Sequence, residues 1–320
     1  MMLGRNKALH KLSLITIFFI LFFSFFIIVL NAEIYRAKNG NMLYVGGKGM
    51  GNYTTIQDAI DNSSDGDTVY VYNGIYLENI VINKSINLVG LDKNSTIIEG
   101  NGSLYIILIK SSWVNITGFT IQNGKAGVYI PEANYSFNSV IDNIVFNNWD
   151  GIRLYNSSNN NISGNTVSDH SGSGTILYES SNNLITANNF TNNYRALVLG
   201  RWSDNNFISG NDFTENACSI RLDFSFNNFI HKNSIAYGKH GVSLSCSNNN
   251  NITNNDIENN ENYGIYLSDS DDNVISPNTF FNNYQDVKEE PRPPEIRAPG
   301  FEILFTICAI LLVLFLRRKH

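Results

Sequence analysis

The chain has 320 residues, 43% hydrophobic and 16% charged, with a formal net charge of -6. So few charges, with acid in slight excess, exclude a basic nucleic-acid surface, and no nucleic-acid partner is expected. Three cysteines cannot make a disulfide-dense scaffold.

Residues 12–30 form an apolar run broken only by Ser13, Thr16 and Ser24, with Arg5, Lys7 and Lys11 before it. A run of about 20 apolar residues spans a bilayer, and the basic flank belongs on the cytoplasmic side. Residues 1–32 therefore read as a signal peptide or an uncleaved signal anchor. Ala32 offers a cleavage residue, but Leu30 two positions before it makes a weak site, so both readings stay open. Either way the following residues are exported.

Thr54-Thr55-Ile56-Gln57 reads as a capping box, and Ile56, Ala59 and Ile60 fall on one helical face. A short cap helix over 54–62 is expected, followed by an Asp65-Gly66-Asp67 turn into the first strand. From Gly127 onward the chain repeats itself. A Gly-Ile-x-Leu-like unit recurs every 22 to 24 residues, as in Gly127-Val128-Tyr129-Ile130, Gly151-Ile152-Arg153-Leu154, Gly241-Val242-Ser243-Leu244 and Gly264-Ile265-Tyr266-Leu267. Each unit is followed by an aliphatic residue, then by an asparagine and another apolar residue, as in Ile162, Asn165 and Val167. Three short apolar segments per repeat, alternating with period two, are strands and not helices.

Stacked repeats of this length are a solenoid. The fold class expected is all-β: a right-handed parallel β-helix over 33–286, with roughly ten three-strand coils and an axis on the order of 50 Å at ~4.8 Å per coil. A hydrophobic helix is expected at each terminus. Asn143, Asn165, Asn188, Asn211, Asn233, Asn255 and Asn278 recur at one corner. There, asparagine tolerates left-handed backbone and its amides can bond from coil to coil, so this ladder is expected to be structural. Cys218 and Cys246 sit about six positions out of phase in the repeat, too far apart to bridge.

Outward positions of the Gly-Ile-x-Leu strand and its approach gather aromatic and basic residues into one stripe: Trp149, Arg153, Tyr155, Tyr178, Tyr194, Arg195, Arg221 and Tyr266, with Asp150, His240 and Tyr263 nearby. Aromatic faces stack on sugar rings, and arginine pairs with carboxylates in a fork. The stripe is thus a candidate surface for an acidic polysaccharide or envelope glycan. Simple coverage of the strands by exposed Tyr and Arg is the plainer alternative.

Hydrolysis of glycosidic bonds would need two carboxylates at a set separation. Here Asp150, Asp169, Asp204, Asp212 and Asp223 fall on different coils and corners, and Asp169-His170 reads as a lone pair in a surface loop. No catalytic residue, metal site or cofactor is assigned. Asn-x-Ser/Thr sequons at Asn52, Asn62, Asn83, Asn94, Asn101, Asn115, Asn134, Asn156, Asn161, Asn189 and Asn251 are glycosylation candidates in an exported chain.

Residues 287–298, with Pro291, Pro293 and Pro294 among charges, form a stiff linker. Pro299, Gly300 and Phe301 then precede an apolar stretch over 303–316 and the basic end Arg317-Arg318-Lys319-His320. Over 299–320 this order resembles the PGF-type C-terminal sorting signal of archaeal surface proteins. The resemblance implies a sorting enzyme that removes the tail and attaches the protein to lipid, as in GPI anchoring. A plain C-terminal membrane anchor is the other reading, and both tether the protein outside the cell.

Thr55-Ile56-Gln57-Asp58-Ala59-Ile60 near the start, with the Asn and Gly-Ile-x-Leu columns that follow, is similar to the NosD-like branch of the pectin-lyase superfamily over about 43–286. The resemblance implies the β-helix and three functions. The first is a membrane-tethered surface protein that binds glycan, adheres or builds the envelope. The second is a polysaccharide lyase or hydrolase. The third is a copper-maturation factor. Copper handling wants clustered Met, His or Cys. Met stands only at 1, 2, 42 and 50, and His only at 10, 170, 231, 240 and 320.

Overall fold

The computed structural model describes residues 40–290 apart from 101 and 103. The terminal hydrophobic segments, most of the linker and the Pro-Gly-Phe motif lie outside the described residues. No described helix is long and apolar enough to cross a membrane.

Three sheets of ten parallel strands run the length of a right-handed β-helix, and each coil adds a strand to every sheet. One coil shows the plan: Asn161–Ser163 joins sheet 1, Thr166–Ser168 sheet 2 and Ser173–Tyr178 sheet 3. Alternation decides what is buried. In that coil Ile162, Val167, Thr175 and Leu177 point inward and are at most 1% exposed. Their equivalents line up coil after coil, as in Val140, Ile162, Ile185 and Ile208 along sheet 1. Phe190 and Phe213 stack inside at 4.9 Å. Burial of each large aliphatic contributes roughly 1.5–3 kcal/mol, so the column, not any single contact, holds the fold.

The asparagine ladder is present at all three corners, not one. Between sheets 1 and 2, each ladder Asn accepts on Oδ1 from the backbone N–H of the preceding coil's Asn, 3.0 Å for Asn165 to Asn188 and for Asn188 to Asn211. Its Nδ2 donates to the next Oδ1 and to a backbone carbonyl, as Asn188 does to Asn211 at 3.0 Å and to Ile162 at 2.9 Å. Asn160, Asn183 and Asn206 do the same between sheets 3 and 1, and Asn193 and Asn216 between sheets 2 and 3. The expected reason for asparagine here needs correction. The left-handed residue is the one before each ladder Asn: Asp142, Gly164, Ala187, Gly210, Lys232 and Asn254 at the first corner. That position varies in type because only its backbone matters. The ladder position is Asn because a carboxamide both accepts and donates in this plane.

The cap helix is Ile56–Asp61, with Ile56, Ala59 and Ile60 fully buried over the first coil. Its N-cap is Thr55, whose Oγ1 accepts from the Asp58 N–H at 3.1 Å, so the capping pair lies one residue later than expected. Gln57 instead pairs with the backbone of Val81, and Glu78 accepts the first helical N–H groups from Ile56 and Gln57 at 2.9 and 3.0 Å. At the other end, sheet 3 finishes on Gln285–Glu290, where Asp286, Lys288, Glu289 and Glu290 replace the apolar-rich pattern.

Candidate functional site

Sheet 3 carries the longest strands, six residues each from Asp150–Tyr155 onward, so this face presents three outer columns over a broad front. Its register fixes which of the candidate side chains meet. One outer column reads Tyr129, Arg153, Ile176, Val198, Arg221, Ser243, Tyr266. A second reads Arg195, Cys218, His240, Tyr263, and a third Tyr155, Tyr178, Gly200, Asp223. The stripe is therefore two clusters. Between them lie Ile176 and Val198, outward by register yet only 8% and 5% exposed.

The first cluster centres on Arg153. Its guanidinium lies 5.6 Å from the Tyr129 ring and 5.3 Å from the Tyr155 ring, and it donates to the Tyr155 hydroxyl at 2.9 Å. Tyr155 and Tyr178 are tilted together at 5.1 Å. Tyr178 then lies across the next coil, where a Cβ on Gly200 would stand 2.5 Å from its ring, so only glycine leaves room. Tyr155 and Tyr178 join Glu132, Asn156, Glu179 and Arg201 around a hollow of about 250 Å³.

Asp150 sits beneath this cluster, 5% exposed, accepting the Ser173 N–H at 2.8 Å and lying 3.6 Å from Arg153. Burial raises its pKa, against the opposing pull of the Ser173 N–H and Arg153. Gly172 makes this possible: a Cβ there would fall 2.5 Å from the Asp150 carboxylate and 2.9 Å from the Trp149 indole nitrogen. Trp149 itself stands at the corner, 57% exposed.

The second cluster is a groove of about 280 Å³ lined by Tyr194, Arg195, Cys218, Arg221, Lys239, His240, Ser243 and Tyr266. Arg195 stacks over Tyr194 at 5.0 Å, and Arg221 is braced by Asp223 at 2.7 Å. Tyr263 and Tyr266 stack at 5.3 Å, and the Tyr266 hydroxyl donates to Glu290 at 2.7 Å. Burial pushes the Cys218 thiol up to about 11, so it stays protonated. Burial, with Lys239 adding to it, lowers the His240 pKa and favours neutral imidazole. Past Tyr194 and Lys239 a shallower hollow of about 500 Å³ opens toward Glu215, Tyr237 and Glu261.

Tyr129, Lys239 and the corner residues Glu179 and Arg201 complete these surfaces and are missing from the sequence-based stripe. Tyr129 occupies the same repeat column as Arg153, so phasing the repeats could have found it. Lys239, Glu179 and Arg201 sit at corners just outside the strands, where the repeat gives no signal.

The Asp169-His170 pair is not a surface loop pair. His170 is 2% exposed and occupies a ladder position between Asn148 and Asn193. Its Nδ1 accepts the Asn148 N–H at 3.1 Å, and Nε2–H donates to the Val145 carbonyl at 3.2 Å. This tautomer reproduces the acceptor and donor of the carboxamide it replaces. Burial lowers its pKa to about 4. Cys218 and Cys246 are free thiols.

The family model described as periplasmic copper-binding protein (NosD) matches residues 60–236 and 203–295. The PGF-CTERM motif matches residues 298–320. A cell surface glycoprotein of Methanothermus fervidus is 38% identical over 103 residues, 31% of this chain, and the match spans only 17% of that relative's length. Among solved structures, the enzymatically active domain of bacteriophage CBA120 tailspike protein 2 aligns with a TM-score of 0.61 and 16% identity, covering 79% of this chain and 46% of that one. The A-module of the mannuronan C-5 epimerase AlgE6 of Azotobacter vinelandii aligns at 0.57 and 16% identity, covering 72% and 71%. At such identities the likeness is one of fold.

Proposed function

The chain belongs to the NosD family, and from that premise we propose that it is a surface-anchored β-helix whose sheet 3 groove binds acidic glycan. It is extracytoplasmic, with a C-terminal surface-sorting signal. The observation that carries the glycan reading is the groove itself. On a chain of net charge -6, Arg195, Arg221 and Lys239 converge beside Tyr194 and Tyr266. Cations next to aromatic faces suit uronate-bearing polysaccharide, the rings stacking on sugar faces and the guanidiniums taking carboxylates. Arg153, Tyr155 and Tyr178, with Trp149 at the corner, would extend the track toward the N-terminal coils. In this reading a sorting enzyme processes the tail, and the β-helix meets envelope polysaccharide as an adhesive or structural element.

Copper fits the described residues poorly. His170 commits both ring nitrogens to backbone, Cys218 is held as a thiol, and the Nε2 of His240 is occupied by the Asn262 amide at 3.3 Å. Among the described residues no three His, Cys, Asp or Glu side chains converge. A lyase or hydrolase reading has one residue in its favour, the buried Asp150 with its raised pKa. Arg153 and the Ser173 N–H already engage it.

The test is calorimetric titration of the full chain in detergent with oligouronates and with neutral oligosaccharides of equal length. Micromolar-to-millimolar binding of the oligouronate alone, weakened about tenfold by Arg195→Ala or Arg221→Ala, is expected. Equal affinity for the neutral series, or none for either, would overturn the reading. Unsaturated uronate or new reducing ends in the same mixtures would establish the enzyme instead.

A further inference from the structure

The asparagines of this chain fall into two populations, separated by what stands two residues later. Side chains two apart along a strand point the same way. At the two corners that lead into sheets 1 and 2 the residue two beyond a ladder Asn is a core residue: Val167 after Asn165, Phe190 after Asn188, Phe213 after Asn211 and Ile162 after Asn160. At the corner into sheet 3 it is Arg195 after Asn193 and Cys218 after Asn216, again neither Ser nor Thr. A ladder Asn therefore does not begin an Asn-x-Ser/Thr sequon. Asn188 and Asn189 are neighbours, yet only the second, which faces out with Thr191, begins one. The alternation that builds the core also sorts the sequons onto the outside.

Among the outward sequons, geometry separates acceptors further. Asn83, Asn134 and Asn189 are exposed, and their Nδ2 atoms make no hydrogen bond among the described residues. Asn134 lies in the loop after Ala126–Ile130 with a φ of 56°. On Asn189 the Oδ1 accepts the Thr191 hydroxyl at 2.8 Å, which leaves the amide nitrogen pointing to solvent. By contrast the Asn52 Nδ2 is bound to the Gly46 carbonyl at 2.6 Å, and the Oδ1 atoms of Asn115 and Asn161 are buried. No sequon lies in the sheet 3 strands.

We propose that Asn83, Asn134 and Asn189 carry N-linked oligosaccharides, so that sugar clothes sheet 2 and the N-terminal corners while the sheet 3 groove stays bare. The donor is a lipid-phosphate-linked oligosaccharide on the outer side of the membrane, acted on by a membrane transferase. Nδ2 bonds to the anomeric carbon, the bond from that carbon to the phosphate oxygen breaks, the lipid phosphate leaves, and the amide proton passes to a base of the transferase.

The experiment is glycopeptide mass spectrometry on the full chain isolated from its native membrane, wild type beside Asn189→Gln and Thr191→Ala. Peptides containing Asn83, Asn134 and Asn189 should carry sugar mass, and those containing Asn165, Asn188 and Asn211 none. Both variants should lose one oligosaccharide from the intact mass with the thermal midpoint unchanged. Asn83, Asn134 and Asn189 all found bare, or sugar found on a ladder asparagine, would overturn the proposal. Thr191→Ala keeps the acceptor in place, so retention of the sugar in that variant would count against it equally.

Discussion

The interior corners and the outer face of sheet 3 belong to the same coils but obey opposite rules. At the corner between sheets 1 and 2 the coils from Asn143 to Asn278 repeat one solution, an amide that accepts from the coil before and donates to the coil after. On sheet 3 the outer column changes at each step, from Tyr129 to Arg153, Ile176, Val198 and Arg221. Stacking demands uniformity inside because each group is its neighbour's partner. Outside, solvent can satisfy any side chain, and variation is available for recognition.

That contrast can be broken most severely from within. Leu154→Asp places a charge in a column where Leu154 is 0% exposed, and loss of the folded state by circular dichroism is expected. Removing one rung costs less. Asn188→Ala strands the Asn165 N–H and the Ile162 carbonyl, and a loss of about 2–4 kcal/mol in urea unfolding is expected.

The His170 rung sharpens the rule through pH. Its folded pKa of about 4 lies below the ordinary imidazole value of 6.5, so the unfolded chain takes up the proton first. Its contribution is present in full above pH 6.5 and lost as pH falls toward 4, a decline of roughly 3 kcal/mol at most. His170→Asn should flatten that part of the stability–pH curve, since a carboxamide holds the same two partners without titrating. An unchanged slope would mean the imidazole is not acting as a rung.

Smallest in stability is Arg195→Ala on the outer face. A change within about 0.5 kcal/mol is expected, alongside the tenfold loss of oligouronate affinity. A stability loss comparable to that of Asn188→Ala would erase the distinction between the two regions.

The same distinction explains what could be read before the fold was in hand. Inward columns such as Val140, Ile162 and Ile185 and the Asn165–Asn188–Asn211 rungs were legible because each repeat restates them. The reason for the asparagine was not: phase alone cannot separate Asn188, which bonds, from Ala187, which turns the backbone at φ 54°. His170 was misread because imidazole and carboxamide differ in type while matching in donor and acceptor. On the outer face the stripe was legible as residue types, but its division into two clusters depends on Ile176 and Val198, which look ordinary in sequence and matter only by register. The surface-sorting motif was legible because its three parts stand in order over 298–320.

The final strand of sheet 3 has a consequence for a protein anchored at a surface beside other copies of itself. An unpaired β-rung templates fibre growth when another copy can add to it. On Gln285–Glu290 an incoming copy would meet Asp286, Glu289 and Glu290 in place of aliphatic groups, while the opposite end is closed by the Ile56–Asp61 helix. Charge on that last rung disfavours the addition of a second copy head to tail through sheet 3.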